Sequence, residues 1–217
     1  MAIESPAAPE ATPRGRRSSR ASGDEREREI LATAQRLLEE RPLSEISVAD
    51  LAAGAGISRP TFYFYFPSRD AVVLTLVERM VAEADESRKE VLEISQEEPR
   101  TGLRRVLEGS FAPFASRRAV VLAAAELRTT NAEARELWSR VMEGWVAQVS
   151  EIIVAERARG AAPPGPPARE LATALVQMNE RAQHGTLGGE SPSIPEASIS
   201  DVLVEVWLRA IYGSSAG

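Results

Sequence analysis

The sequence predicts an all-α protein in which a short N-terminal half with a helix-turn-helix precedes a longer helical half. Apolar residues recur at helical spacing along most of the 217 residues, and no stretch keeps the polar–apolar alternation that is typical of a strand. Five consecutive aromatic residues, 62–66, directly follow a phrase that opens a helix. Rings at five adjacent helical positions point all around the axis, so some of them must face solvent. An aromatic helix of this kind indicates a binding surface.

The first helix is expected to run from Asp24 to just before Pro42. Asp24 and Glu27 have the spacing of a capping box, and the proline ends the helical pattern. The apolar stripe of this helix comprises Ile30, Ala34, Leu37 and Leu38. Residues 1–23 are rich in proline, alanine and serine and include four arginines, so we expect a disordered basic tail.

Two short capped helices form the centre of the N-terminal half. Ser47 and Asp50 have the spacing of a capping box at the start of the first helix, and glycines close it. Ser58 is a good N-cap for the second helix, and Pro60 fits its first turn. Two such helices across a tight turn that contains glycine form a helix-turn-helix. A buried aromatic strand is the alternative for residues 62–66, and the capping residues favour the helix.

The second of these helices has an inner and an outer face. Phe62 and Phe66 are four residues apart and are expected to pack inward, which leaves the other rings of the run outside. Hydroxyl and guanidinium groups near the start of the helix suit contacts with phosphates and base edges in a DNA major groove. The residues predicted to contact DNA are Ser47, Ser58, Arg59, Pro60, Thr61, Tyr63, Phe64, Tyr65 and Arg69.

The charge balance predicts weak non-specific binding to DNA. The whole chain has a formal net charge of −6, and residues 1–70 contain ten arginines against eleven acidic residues. Few positive charges are therefore available to neutralise phosphates. Specific contacts and dimerisation must then supply most of the affinity.

The rest of the chain is predicted to be a helical bundle. A long helix runs from Ser68 to about Ser95, with the apolar residues near its start facing inward. The last two helices are expected at 167–185 and 195–212. Other helices are separated at Pro99, Pro113, the segment 116–118, Asn131 and the proline-rich run 160–167.

Aromatic residues form a second pattern in this half. Trp138, Met142 and Trp145 are spaced four and three residues apart and share one helix face, while Phe114 belongs to a second, shorter aromatic face. Such stripes are usually core, whereas a ligand pocket needs polar groups within apolar walls. Asn179 lies beside an apolar face of a later helix, and a buried amide there must find a partner on another helix or on a ligand. The residues alone favour core packing over a pocket.

The sequence lacks the residues that several functional classes require. The chain has no cysteine and a single histidine, His184, which excludes disulfides and cysteine metal sites and leaves no ligand set with metal spacing. No phosphate-binding glycine loop and no nucleophile motif occur, so neither an enzyme nor a cofactor is expected. No apolar run approaches the ~20 residues that span a bilayer, and residues 1–23 lack an apolar export segment. We expect a cytoplasmic protein with no membrane partner.

Residues 24–81 resemble the DNA-binding half of the TetR family of bacterial repressors. The resemblance is clearest over residues 56–71, GISRPTFYFYFPSRDA. This segment leads into the long fourth helix. The similarity is closer to one mycobacterial member, a repressor of a monooxygenase gene, and extends to the segments 13–17, 156–163 and 178–181 and to the tryptophans of the C-terminal half. The resemblance thus covers nearly the whole chain.

The resemblance implies a domain organisation, partners and a ligand site. It implies a basic tail over 1–23, a DNA-binding domain over 24–67, and a ligand-binding and dimerisation domain over 68–217, with no cofactor. It also implies a homodimer, formed through the last two helices, which binds double-stranded operator DNA and leaves it when a hydrophobic small molecule enters a channel. The residues implied to line that channel are Phe114, Trp138, Met142, Trp145, Met178, Asn179 and Trp207.

Three positions depart from the pattern of the mycobacterial member. Leu103, Val176 and His184 stand where that protein has a tryptophan, an asparagine and a phenylalanine, so the identity of its inducer does not carry over. One other class stays open from the residues. It is a helical ligand-binding or scaffolding protein that binds no DNA and uses the aromatic helix as an interaction surface.

Overall fold

The fold is all-α, as the sequence predicts. The structure is a computed structural model that describes the backbone of residues 15–93 and 98–213 and the side chains of residues 23–86 and 98–213. The helices within these ranges are α1 (Gly15–Glu40), α2 (Val48–Gly54), α3 (Arg59–Tyr65), α4 (Arg69–Glu93), α5 (Pro99–Ala115), α6 (Arg118–Thr130), α7 (Ala132–Ala158), α8 (Ala168–Gly188) and α9 (Glu196–Tyr212), with a short 3-10 helix at Leu43–Glu45.

The capping residues start α2 and α3 where the sequence places them. The Ser47 hydroxyl accepts a hydrogen bond from the Asp50 N–H at 3.2 Å, and the Ser47 N–H donates to the Asp50 carboxylate at 2.8 Å. The Ser58 hydroxyl accepts from the Thr61 N–H at 3.2 Å and starts α3. Gly56 takes a φ of 65° in the turn between them, a conformation that suits glycine. The predicted helix-turn-helix is confirmed.

One layer of apolar side chains holds α1 to α4 together. Ile30 of α1, Leu51 of α2, Phe62 of α3 and Val72 of α4 are all at most 1% exposed. Each comes from a different helix, so their burial in one hydrophobic core favours the association of the four helices. Phe62 is the buried residue through which α3 joins this core.

Helices α1 and α2 lie close together at Gly54. A Cβ atom at this position would lie 2.4 Å from Cγ2 of Thr33, which belongs to α1. Thr33 is itself buried, with 5% of its surface exposed, and a β-branched side chain has few rotamers to move to. Only a hydrogen atom fits between the two helices here.

The C-terminal half is a bundle in which α4 is the shared element. Helix α4 packs against α5, α6 and α7, while α8 packs against α7 and α9, and α9 against α5. Asn131 caps α7 with its Oδ1 atom, which accepts from the Ala134 N–H at 3.1 Å. Its Nδ2 atom donates to Asp70 at 3.2 Å and ties the start of α7 to the start of α4. The predicted helix starts near 131, 167 and 195 are confirmed.

Two helix predictions were wrong. Helix α1 begins at Gly15, nine residues before Asp24, so the proposed capping box is an internal turn of a longer helix. Arg14 and the rest of residues 1–14 lie outside the described residues. Pro113, predicted to separate two helices, lies inside α5. It removes one backbone hydrogen bond near the end of that helix, while the buried rings of Phe111 and Phe114 hold the chain on either side.

No helix in the described ranges is long and apolar enough to cross a membrane.

Candidate DNA-contact surface and ligand cavities

The aromatic run of α3 divides into inner and outer rings. Phe62 and Phe66 are 0% and 5% exposed, as predicted, whereas Tyr63 and Phe64 are 50% and 83% exposed. Tyr65 differs from the expectation that it lies largely outside, because it is partly buried and packs against the hydrophobic core.

Each of the two exposed rings of α3 contacts a less exposed ring. The Tyr63 ring meets the buried Phe62 ring edge to face, with centroids 5.7 Å apart, and the Phe64 ring meets the Tyr65 ring in the same way at 5.3 Å. Edge-to-face contacts favour fixed ring orientations. The outer rings are thus held in place before any partner binds.

The exposed polar groups of α3 lie beside these rings. The Ser58 and Thr61 hydroxyls share a hydrogen bond of 2.8 Å at the start of the helix. Arg59 is exposed, and its guanidinium has no hydrogen bond or ion pair within the described part of the chain. Arg59 and Tyr63 are four residues apart and form one edge of the helix, while Pro60 and Phe64 form an adjacent apolar edge.

Ser47 is exposed at the start of α2, but its polar atoms serve the capping box. Hydrogen bonds from the Ser47 hydroxyl and N–H lower the pKa of the Asp50 carboxyl below its ordinary value. The Asp50 carboxylate also lies 3.3 Å from the Arg41 guanidinium. The box is therefore charged at neutral pH and stabilises the first turn of α2.

Arg69 has a structural role that the sequence did not reveal. Its Nη1 atom donates to the backbone carbonyls of Leu43 and Ile46, at 2.8 and 2.9 Å, and its Nε atom lies 3.3 Å from Asp70. The side chain joins the start of α4 to the segment between α1 and α2. These partners are 23 and 26 residues away in sequence, so no local pattern could indicate them.

Three aromatic rings form a wall inside the C-terminal bundle. The rings of Phe114, Trp138 and Trp145 meet edge to face, with centroid distances between 5.8 and 6.5 Å. Phe114 comes from α5 and both tryptophans from α7. The two aromatic faces predicted separately from sequence therefore meet in space.

Two cavities lie on either side of this wall. The first, with an empty volume of about 490 Å³ that includes its opening to solvent, is lined by Val77, Met80, Phe114, Val121, Ala124, Ala125, Arg128, Trp138, Trp145, Glu180, Gln183, His184 and Leu187. The second, of about 600 Å³ on the same measure, is lined by Val106, Leu107, Ser110, Phe114, Trp145, Gln148, Val149, Ile152, Val176, Asn179, Glu180, Gln183 and Trp207. The enclosed space within each cavity is much smaller and holds no more than a few water molecules as the structure stands.

The second cavity contains buried polar atoms without a partner. Oδ1 of Asn179 and Nε1 of Trp207 are buried, and neither has a hydrogen-bond partner among the described residues. Buried polar atoms are nearly always hydrogen-bonded in folded proteins. An acceptor and an indole donor are therefore available to a ligand between walls that are mostly apolar.

The first cavity carries charge on its wall. Both terminal nitrogens of Arg128 lie 3.2 Å from Oε1 of Glu180, and the guanidinium carbon lies 4.6 Å from the centre of the Trp138 ring. His184 lines the same cavity, with Nε2 3.5 Å from a Glu190 carboxylate oxygen. No local pattern in the sequence indicates Arg128, because its partner is 52 residues away.

Five of the seven residues expected in the channel line these cavities. They are Phe114, Trp138, Trp145, Asn179 and Trp207. Met142 and Met178 are half-buried, pack against the core and line neither cavity. Of the three departures from the resemblance, Val176 and His184 lie on cavity walls, whereas Leu103 packs against the core.

Helix α4 connects the two sites. Its first residue, Arg69, holds the segment that precedes α2, and Val77 and Met80 line the first cavity. Positions 69 and 77 are separated by about 12 Å along the helix axis. A molecule in the first cavity therefore contacts the same helix that is anchored, through Arg69, to the segment before α2. No cluster of acidic or histidine side chains with metal-binding geometry occurs among the described residues.

Two family models match the chain. The model of bacterial regulatory proteins of the TetR family matches residues 30–76, and that of the C-terminal domain of the transcriptional regulator EthR matches residues 103–213. The chain is 52% identical over 204 residues to the HTH-type transcriptional regulator EthR of Mycobacterium tuberculosis, with 94% of each chain covered. It is 48% identical over 203 residues to EthR of Mycolicibacterium smegmatis, again with 94% of each covered.

Solved structures of distant regulators share the fold. A putative transcriptional regulator from Saccharomonospora viridis in complex with choline has a TM-score of 0.70 at 24% identity and covers 86% of this chain and 96% of its own. FadR from Bacillus subtilis in complex with stearoyl-CoA has a TM-score of 0.67 at 16% identity and covers 85% and 97%. The similar proteins are transcriptional regulators. This excludes the alternative class, a helical ligand-binding or scaffolding protein that binds no DNA. The chain belongs to the TetR family of bacterial transcriptional regulators, and it is a DNA-binding regulator, not an enzyme.

Proposed function

We propose that this protein is a cytoplasmic repressor that binds its operator as a homodimer and leaves it when a hydrophobic small molecule occupies the cavities. The observation that carries the proposal is the course of α4. The helix is fixed to the DNA-binding half through Arg69 and forms a wall of the first cavity through Val77 and Met80. A ligand that favours one position of α4 thereby favours one spacing of the two α3 helices in a dimer.

The exposed polar edge of α3 is proposed to make the specific DNA contacts. Arg59→Ala and Tyr63→Ala are each expected to weaken operator binding by about 1–3 kcal/mol, because each removes a side chain that reaches base edges or phosphates. Both residues are exposed, so the melting temperature should stay nearly unchanged. Fluorescence anisotropy with a labelled duplex measures the first quantity and thermal denaturation the second. A large fall in melting temperature for either variant would contradict the assignment to the surface.

The ligand is proposed to be largely apolar with one amide or carbonyl group. Its hydrocarbon parts match the aromatic walls, and its polar group meets Asn179 and the Trp207 indole N–H, which lack other partners among the described residues. Space for it is narrow, because each cavity as it stands holds no more than a few water molecules. The ligand must therefore spread the walls, and that displacement is the physical link to α4.

Calorimetric titration of a dialkyl amide such as N-hexylhexanamide tests the ligand site. Operator duplex is expected to weaken amide binding by about 1–3 kcal/mol, and the amide to weaken operator binding by the same factor, since coupling is reciprocal. Asn179→Leu should weaken amide binding about two- to tenfold through the lost hydrogen bond. Dihexyl ether has neither a carbonyl nor an N–H group and serves as the matched control, which the substitution should leave unchanged. Equal amide affinity with and without operator would contradict the coupling.

Dimerisation is proposed to use the outer face of α8 and α9. Val202 and Val206 of α9 are 41% and 38% exposed, although most apolar residues of this helix are buried. Adjacent exposed apolar residues on a helix indicate an interaction surface. The partner is taken to be a second copy, because two identical α3 helices related by a twofold axis can bind two half-sites of one operator.

Val206→Glu is expected to weaken dimerisation by about tenfold to a hundredfold, because it places a charge in an apolar interface twice per dimer. Sedimentation velocity across a concentration series gives the dimer constant. Val154→Glu is the matched control, since Val154 is an exposed valine on α7, outside α8 and α9. Equal weakening by both substitutions would place the interface elsewhere.

The regulated gene is proposed to encode a monooxygenase beside the gene of this protein. The support is the 52% identity to EthR over 94% of both chains, together with the resemblance to a repressor of a monooxygenase gene. A gel-shift with the intergenic DNA upstream of the protein's own gene tests the proposal. A specific shift beside a monooxygenase gene is expected, and the absence of any specific shift there would contradict it.

A further inference from the structure

Phe64 is the most exposed large apolar side chain of the DNA-contact surface. Its side chain is 83% exposed, compared with 50% for Tyr63, and its ring is held by the Tyr65 ring at 5.3 Å. With Pro60, which is also exposed and lies four residues earlier, it forms the apolar edge of α3. The ring lies outside the core, and together with Pro60 and Tyr63 it forms an exposed apolar patch on α3, which indicates an interaction surface.

The phenyl ring has no hydrogen-bond donor or acceptor. In the major groove, where each base pair presents donors and acceptors, the one apolar group on a base edge is the 5-methyl group of thymine. The ring therefore has one complementary group on the bases. Burying a methyl group against an aromatic ring removes apolar surface from water on both sides.

The charges around α3 increase the importance of such contacts. Arg36, Arg41 and Arg69 all form ion pairs with acidic neighbours in the N-terminal half. The arginines that are already paired have less charge available for phosphates. A larger share of the specific binding energy then falls to base contacts, and an apolar contact is one that salt does not screen.

We propose that Phe64 packs against thymine 5-methyl groups in each half-site and makes the operator specific for thymine at those positions. This inference rests on the proposed binding of operator DNA through α3. One part of the recognition is then apolar, between the Phe64 ring and the thymine methyl groups. The polar edge with Arg59 contacts hydrogen-bonding groups, and the apolar edge with Phe64 contacts methyl groups.

The experiment uses deoxyuridine, which pairs like thymidine and lacks only the methyl group. The full-length protein first selects its binding site from a library of random duplexes. Each thymidine of the selected duplex is then replaced singly by deoxyuridine, and affinity is measured by fluorescence anisotropy. The wild type is expected to lose about two- to fivefold in affinity at one or two positions of each half-site. Replacement at the remaining positions should have little effect.

Two variants separate the apolar contact from binding in general. Phe64→Ala is expected to bind the thymidine duplex more weakly and to show no further loss with deoxyuridine at the sensitive positions. Arg59→Ala is the matched control: it should also bind more weakly but should keep the full deoxyuridine effect. Both side chains are exposed, and an unchanged melting temperature confirms that the variants are folded.

The outcomes distinguish this inference from the proposed function. If the selection enriches no sequence, DNA binding by this protein fails and the inference fails with it. If a sequence is enriched but every deoxyuridine duplex binds as tightly as the parent, only the inference is overturned. It is also overturned if Phe64→Ala keeps the wild-type loss at the sensitive positions, because another residue then contacts the methyl groups.

Discussion

Phe62→Ala is expected to lower the free energy of unfolding by about 3–5 kcal/mol, the usual cost of removing a buried phenyl ring. Phe62 is 0% exposed and is the one fully buried side chain of α3. Its ring lies 6.1 Å from the Phe66 ring and 5.7 Å from the Tyr63 ring, measured between centroids. Its loss leaves a cavity beneath α3 and loosens the packing of that helix, so operator binding should fall together with stability.

Phe64→Ala is the control, because it makes the same chemical change two residues away on the exposed side of the helix. It should alter the free energy of unfolding by less than about 0.5 kcal/mol. Urea denaturation followed by circular dichroism measures both variants, and the shift in midpoint reports the difference in stability. A similar loss in the two variants would mean that α3 has no inner and outer face.

Arg69→Met is expected to lower the free energy of unfolding by about 2–4 kcal/mol. The substitution keeps much of the aliphatic length but removes two charge-assisted hydrogen bonds to the carbonyls of Leu43 and Ile46. Arg36→Met is the matched control, because the ion pair of Arg36 with Glu40 spans one helical turn in solvent and is worth only about 0.3–0.5 kcal/mol. A loss for Arg69→Met no larger than that of the control would contradict the anchoring role.

The same variant separates anchoring from DNA contact. If Arg69 transmits the position of α4 to α2 and α3, Arg69→Met should reduce the effect of an amide ligand on operator affinity. If Arg69 instead contacts phosphates, as its place next to α3 in the sequence predicts, operator affinity itself should fall and its dependence on salt should flatten. Anisotropy titrations at several salt concentrations, with and without ligand, distinguish the two results.

Local signals predicted the helix-turn-helix well. The hydroxyl of a serine N-cap accepts a hydrogen bond from the backbone N–H three residues later, and both Ser47 and Ser58 do so in the structure. The spacing of four residues between Phe62 and Phe66 likewise gave the inner face of α3. These features depend on neighbours within one helical turn, and such neighbours are visible in the sequence.

Features that depend on distant neighbours could not be predicted. The hydrogen bonds of Arg69, the Arg128–Glu180 pair and the contact of Phe114 with Trp145 join residues that are far apart in the chain. The half-buried state of Tyr65 depends in the same way on the body against which it packs. A cavity wall is a tertiary feature: five of the seven residues expected in the channel lie on the two cavity walls, whereas Met142 and Met178 pack against the core.

The close approach of α1 and α2 restricts how this chain can change over evolutionary time. Any side chain at position 54 meets the methyl group of Thr33, and Gly54→Ala alone is therefore a change that selection should remove. Thr33→Ser deletes that methyl group and keeps the hydroxyl. Positions 33 and 54 should consequently vary as a pair among descendants of this protein, with alanine at 54 tolerated where 33 has already become smaller.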